Sequence, residues 1–390
     1  MDVPEKKERP LPLVAIALIR SVVNTLHRLV YPFLPVLARG LGVEPAAVAA
    51  ALTVRAAIGA AGPFLASALE RRTRRTAMVL GLALFSAGAA GIFLKPTYAV
   101  FVLALALASL GKHIFDPSLQ AWLGDRVPFA RRGRAVAITE MGWSLAFIAG
   151  VPLAGLLMAR SGWLAPFPIL AGLGFLAAVS VMVFLPASRA SLGSGQAPLG
   201  HLRSVMSFRP ALAGLMLGLL SSAANESVSA IFGLWLESSL GLQIAALGAA
   251  SAVIGFSELG GESLVALAAD RLGKMRSVGL GLAANTAVVL VLPFLGRTRF
   301  SALAGLFVFY LTFEFAIVTF ISLMTEVRPG ARATMMAFHM AFLSLGRAVG
   351  AGSAAWLFGL GFWAVAAAAA VLNLAALLCL RPLAAGFQKA

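Results

Sequence analysis

The stretch Ala266-Leu267-Ala268-Ala269-Asp270-Arg271-Leu272-Gly273-Lys274-Met275-Arg276 is a charged turn between two long apolar runs. Two hundred positions earlier the chain reads Ala66-Ser67-Ala68-Leu69-Glu70-Arg71-Arg72-Thr73-Arg74-Arg75. Glu70 aligns with Asp270, Arg71 with Arg271, Thr73 with Gly273 and Arg74 with Lys274. A self-match at half the chain length predicts two related halves. The echo continues: Asp125-Arg126-Val127-Pro128 has Glu326-Val327-Arg328-Pro329 about 201 positions on, and Asn24 has Asn225.

Around these turns the chain is apolar. Of 390 residues, 60% are hydrophobic and 12% charged, about half the charge of a soluble protein. The apolar runs are about 20 residues long, enough to cross a ~30 Å hydrocarbon layer as helices. Strands of a membrane barrel would alternate instead. The reading is an all-α membrane protein of twelve spans: about 11–37, 46–69, 76–94, 98–123, 134–159 and 164–185, then 210–238, 243–268, 276–295, 300–326, 332–358 and 361–381. Residues 1–185 and 210–390 form two pseudo-symmetric six-helix halves. The Gly/Ser/Pro-rich stretch 186–209 is the cytoplasmic linker between them.

The net charge of +16 is spread through alternate loops, unlike the basic block of a nucleic-acid arm. An even span count puts both termini on one side. That side carries 21 Lys and Arg, the opposite side 5 (Arg39, Lys95, Arg160, Arg297 and Arg299). The positive-inside rule makes the richer side cytoplasmic, in what reads as a prokaryotic plasma membrane. The polar Met1–Pro10 stretch lacks the features of a cleaved signal peptide. A single cysteine, Cys379, and four scattered histidines predict no disulfide and no metal site.

Those turns and that topology resemble the major facilitator superfamily, whose signature loop Gly-X-Leu-Ala-Asp-Arg-X-Gly-Arg-Arg follows spans two and eight. The second copy keeps Asp270, Arg271, Gly273 and Lys274; the first has Glu70 for Asp and Thr73 for Gly. The resemblance implies secondary transport by alternating access between the halves, with the site near the midplane. It implies that spans one, four, seven and ten line a cavity. It also implies that Glu70 and Asp270 latch the cytoplasmic face, with Arg271, Arg74, Arg75 and Lys274 around them. In span five, Gly150-Val151-Pro152-Leu153-Ala154-Gly155 resembles the Gly/Pro motif of proton-driven drug exporters, with Pro152 and Gly155 in register. Ordinary small-residue helix packing explains the same residues.

Eleven ionisable residues lie at membrane depth: Arg20, Arg28, Arg55, Lys112, Asp116, Glu140, Glu226, Glu258, Glu262, Glu314 and Arg347. At ~3 kcal/mol each, exposing them to lipid would cost roughly 30 kcal/mol, against a net stability of about 5–15 kcal/mol. They must face each other or water. Arg20, Asn24, His27, Arg28 and Tyr31 share one helical face, and Lys112 and Asp116 stand at i, i+4. The first half holds most of the cations and the second most of the carboxylates. Such walls accommodate a zwitterionic or amphipathic solute, or else pair with each other.

The substrate-binding candidates are Arg20, Asn24, Arg55, Lys112, Asn225 and Glu258. The proton-coupling candidates are Glu226, Glu314 and Asp116, because a desolvated carboxylate suits proton binding and release. No phosphate-cradling Gly-X-X-X-X-Gly-Lys-Ser/Thr loop is present. The leading reading is therefore a monomeric, cofactor-free transporter that exports a small hydrophobic or amphipathic solute in exchange for protons. Organic-anion uptake and lysolipid movement are alternatives. A membrane enzyme using His113 and Asp116, or a sensor, is the distant one.

Overall fold

In the computed structural model the described residues are 13–68, 73–127, 129–186 and 202–386. Twelve membrane-length helices run through them: α1 Leu13–Leu41, α2 Pro45–Ala68, α3 Arg74–Leu94, α4 Tyr98–Arg126, α5 Arg134–Ser161, α6 Pro166–Phe184, α7 Arg209–Leu240, α8 Ile244–Ala269, α9 Lys274–Leu295, α10 Arg299–Val327, α11 Pro329–Gly359 and α12 Phe362–Ala384. There is no strand among the described residues. The twelve expected spans are all present, with ends displaced by a few residues. Most of the expected linker, residues 187–201, lies outside the described residues, and a short helix, Leu202–Met206, leads into α7.

Local chemistry explains the helix ends. Thr73, Thr97 and Thr298 cap α3, α4 and α10, each side chain accepting from the backbone N–H three residues on. Ser301 returns the bond to Thr298 and completes a capping box. Gly241 ends α7 in the left-handed region at φ +60°, where a side chain would be strained. The two charged turns differ at the equivalent point: Gly273 has φ +82°, whereas Thr73 is extended.

The repeat is visible in the packing. α1 packs on α5, α2 on α4, α3 on α4 and α3 on α6; six helices later, α7 packs on α11, α8 on α10, α9 on α10 and α9 on α12. α3, α6, α9 and α12 turn apolar side chains such as Leu94, Phe175, Met182, Phe294 and Leu378 outward. A girdle of this kind is expected where the solvent is lipid. The halves meet through α2 against α11, α5 against α8, and α1 against α7 and α8.

These contacts are uneven along the membrane normal. One continuous apolar core joins the first half to the periplasmic parts of α7, α8, α10, α11 and α12, including Ile231, Trp235, Leu247, Phe309 and Ala354. A second, separate core holds the cytoplasmic part of the second half, around Leu215, Phe320, Met324 and Met335. Among the described residues the halves share this core on the periplasmic side, while towards the cytoplasm they touch through the edge-to-face rings of Phe64 and Phe338. Gly155 of α5 and Gly248 of α8 sit at the closed crossing. A Cβ built on Gly155 would stand 3.2 Å from the Gly248 Cα and 2.9 Å from the Phe33 Cζ. Gly155→Leu should cost about 1–3 kcal/mol through overpacking. It should also wedge the periplasmic side open, raising the labelling rate of a cysteine placed beside Gly248. An unchanged rate with unchanged stability would refute this account of the crossing.

Candidate functional site

The buried charges form three groups, each built by different helices. The first lies wholly within the first half. Asp116 of α4 is held between Arg20 of α1, at 3.1 Å, and Lys112, at 2.5 Å. Arg20 also meets Glu140 of α5 at 2.7 Å and donates to the Thr139 carbonyl. Lys112 donates to Asn24 Oδ1 at 2.7 Å, and Asn24 Nδ2 donates to the Gly142 carbonyl. The charges are two of each sign, and the network ties α1, α4 and α5 together.

The second and third groups cross between the halves. Arg28 of α1 makes a two-pronged ion pair with Glu258 of α8, both side chains being about 95% buried or more. The guanidinium also lies 3.5 Å from the centre of the Phe147 ring and 4.2 Å from that of Trp143, a cation–π sandwich. In the third group Tyr31 donates to Glu226 of α7 at 2.8 Å. Arg55 of α2 donates to the Tyr31 hydroxyl at 2.5 Å and lies 3.8 Å from Glu226. Gly350 of α11 makes room for this, since a Cβ there would stand 2.8 Å from the Glu226 Cβ.

Between the halves lies a cavity of about 170 Å³. α1, α5, α7, α8, α10 and α11 supply its walls, through His27, Arg28, Tyr31, Trp143, Phe147, Asn225, Glu226, Ser229, Glu258, Tyr310, Phe313, Glu314, Met340 and Arg347. Its lining continues towards the cytoplasm along Ile317, Val318 and Ile321 of α10. On the periplasmic side it is sealed where Gly233 of α7 rests on the Pro32 carbonyl of α1. Drug-sized sites occupy ~300–1000 Å³, so this one is contracted and faces inward.

Two charged groups of the wall have no hydrogen-bond or ion-pair partner among the described residues: Glu314 of α10 and Arg347 of α11. Glu314 is seated by Gly261 of α8, where a Cβ would come within 2.6 Å of its own. Asn225 is 91% buried; its Oδ1 accepts from Ser229, which also bonds to Tyr310, while its Nδ2 has no partner.

The expected site residues divide accordingly. Asn225, Glu226, Glu258 and Glu314 line the cavity. Arg20, Asn24, Lys112 and Asp116 do not, because their own network absorbs their hydrogen-bonding capacity. α4 therefore contributes nothing to the lining, contrary to the expectation for span four, and α5, α8 and α11 contribute instead. Arg55 stands behind Tyr31. Glu226 has Arg55 from the other half at 3.8 Å. Arg347 and the aromatic pair Trp143 and Phe147 were not singled out as substrate contacts. Arg347 shares a helical face with Met340 and Ser344, and that face was the available signal.

At the cytoplasmic turns, Glu70 and the side chain of Asp270 lie outside the described residues. The cations expected around them have other partners. Arg74 approaches Asp125 at 3.8 Å and Lys274 meets Glu326 at 2.5 Å, the same pair at equivalent points of the repeat. Arg75 donates to the carbonyls of Met182 and Leu185, and Arg271 is exposed. These contacts stay within one half. The exposed pair that crosses between halves is at the other end: Arg39 of α1 forks onto Glu237 of α7 at 2.7 and 2.8 Å. An exposed pair contributes up to about 1 kcal/mol. Glu237→Gln should therefore raise the periplasm-open fraction by up to about five-fold. Spin labels on the periplasmic ends of α1 and α7 would register this as a longer-distance population; an unchanged distribution would remove Arg39 and Glu237 from the seal.

The sequence model of the Major Facilitator Superfamily matches residues 16–351. The chain is 29% identical over 360 residues to the inner membrane transport protein YdhP of Escherichia coli K12, covering 90% of each. It is 31% identical over 219 residues to the chloramphenicol resistance protein of Streptomyces lividans, 55% of this chain and 56% of that protein. In fold it is similar to the crystal structure of the peptide transporter POT, with a TM-score of 0.77, 16% identity, and 97% of this chain and 95% of that one covered. A family match over most of the chain, on twelve spans around a central cavity, has one meaning: the chain belongs to the Major Facilitator Superfamily and is a secondary transporter of the cell membrane.

Proposed function

We propose that this transporter exports a small amphipathic solute in exchange for protons, with Glu314 as the coupling carboxylate. The observation that carries the reading is the position of Glu314. It lines an inward-facing cavity and has no hydrogen-bond or ion-pair partner among the described residues. Glu258 is committed to Arg28, and Glu226 to Tyr31 and Arg55. A carboxylate held in no hydrogen bond or ion pair is the one free to exchange a proton for a solute. Phe313, Ile317 and Met340 supply the apolar surface beside it. Export is supported by the name of the Streptomyces lividans relative, and chloramphenicol is accordingly the first probe.

The test uses inside-out vesicles with an acidified lumen. Chloramphenicol should accumulate inside and the lumen should become less acid as it does so. A protonophore should abolish both. Accumulation that ignores the pH gradient would refute proton coupling. The second reading, uptake of an organic anion, is favoured by Arg347, which likewise has no hydrogen-bond or ion-pair partner among the described residues. It requires an anionic probe to move into right-side-out vesicles under the same gradient.

A further inference from the structure

We propose that the cavity is built for a small zwitterion with an apolar body, whose carboxylate is held by Arg347 and Asn225 and whose ammonium is held by Glu314. This deepens the export reading and rests on it for the direction of transport.

The argument begins with what the cavity leaves unpaired. Arg28 and Glu258 neutralise each other, and Glu226 is compensated by Arg55. Arg347 and Glu314 remain, on neighbouring helices of the same wall, with no ion pair joining them. A charge in a low-dielectric site must be paired. A cationic solute would satisfy Glu314 and leave Arg347 alone; an anion would do the reverse. A solute carrying both charges satisfies both and brings no net charge into the membrane. Glu262 of α8 is half-buried and without an ion pair among the described residues, but it is not part of the lining.

A second, independent observation points to the acidic end of the solute. Asn225 is 91% buried, belongs to the lining, and its Nδ2 has no acceptor among the described residues. The chain Tyr310–Ser229–Asn225 fixes the other end of the amide, with 2.8 Å and 3.2 Å links. A buried donor held in place without an acceptor is an unfilled position for one. A guanidinium and an amide N–H together suit a carboxylate, which accepts several hydrogen bonds at once.

The ammonium also supplies the exchange. Protonated Glu314 meets the incoming solute from the cytoplasm. Its O–H bond breaks, the proton leaves to cytoplasmic water, and the carboxylate accepts an N–H from the ammonium. After release on the far side, Glu314 takes a proton from the periplasm. One solute leaves for each proton that enters.

Three probes with one aromatic body separate the charges: L-phenylalanine carries both, phenethylamine the ammonium alone and 3-phenylpropanoate the carboxylate alone. Binding to the full-length protein in nanodiscs should be at least ten-fold tighter for phenylalanine than for either of the others. Arg347→Gln should abolish its advantage over phenethylamine, and Arg347→Lys should keep it. Glu314→Gln should abolish its advantage over 3-phenylpropanoate. Equal affinities, tighter binding of either single-charge probe, or no binding of any probe at millimolar concentration overturns the proposal, whatever the variants do. If phenethylamine or chloramphenicol exchanges for protons while phenylalanine is ignored, this inference fails and the export reading stands. If phenylalanine binds with the expected preference but moves no protons, the export reading fails alone.

Discussion

Glu314→Gln should reduce solute-driven proton movement in proteoliposomes to the level of empty vesicles, while the protein still folds. The substitution keeps the shape of the side chain and removes its exchangeable proton. It breaks no hydrogen bond or ion pair, because Glu314 has none among the described residues. Gln is close in shape to the protonated carboxyl group and is likewise neutral, so the substitution adds no buried charge. The thermal midpoint should therefore hold as coupling disappears. Glu226→Gln is the control: the amide oxygen still accepts from Tyr31, but Arg55 loses its counter-charge, so stability should fall. Normal proton movement in Glu314→Gln would move the coupling site elsewhere, to Glu262 first.

The largest stability effect should come from Glu258→Gln. Removing one partner of a buried ion pair costs about 3–5 kcal/mol, because the other charge is stranded. The stranded group here is a guanidinium, which cannot shed its charge, whereas a stranded carboxylate can take up a proton. Glu258→Gln should therefore destabilise more than Arg28→Gln. The Trp143 carbonyl and the Trp143 and Phe147 rings still contact Arg28, which places the loss towards the lower end of that range. Replacing both residues by Met should recover most of it, as apolar packing replaces ionic pairing. Denaturant unfolding of the four proteins closes a double-mutant cycle. A loss below about 1 kcal/mol in Glu258→Gln would show that the pair is solvated rather than a lock between the halves.

Much of this site was legible before any coordinates, and the reasons are specific. Lys112 and Asp116 stand one helical turn apart, so their pairing could be read directly. The depth of Glu314 follows from its place in an apolar run; the pairs Arg74–Asp125 and Lys274–Glu326 were not read there, because both cations were expected around Glu70 and Asp270. Arg28 and Glu258 are 230 positions apart, and no local pattern joins them. The same holds for Glu226, whose cation Arg55 sits on α2, in the other half. Asp116 and Lys112 looked like cavity residues because they belong to span four, but Arg20 drew both into the first half.

Hydropathy, helical period and loop charge are local properties, set by each residue and its near neighbours. From them the sequence determined twelve spans, their orientation, the repeat and the family. It also required every buried charge to find a partner, since lipid offers none. It did not say which partner, because several pairings satisfy that demand almost equally in energy. Only the packing of the helices chose between them. That choice left Glu314 and Arg347 facing the cavity, spent Asp116 and Lys112 on structure, and built the apolar core that the halves share at the periplasmic end.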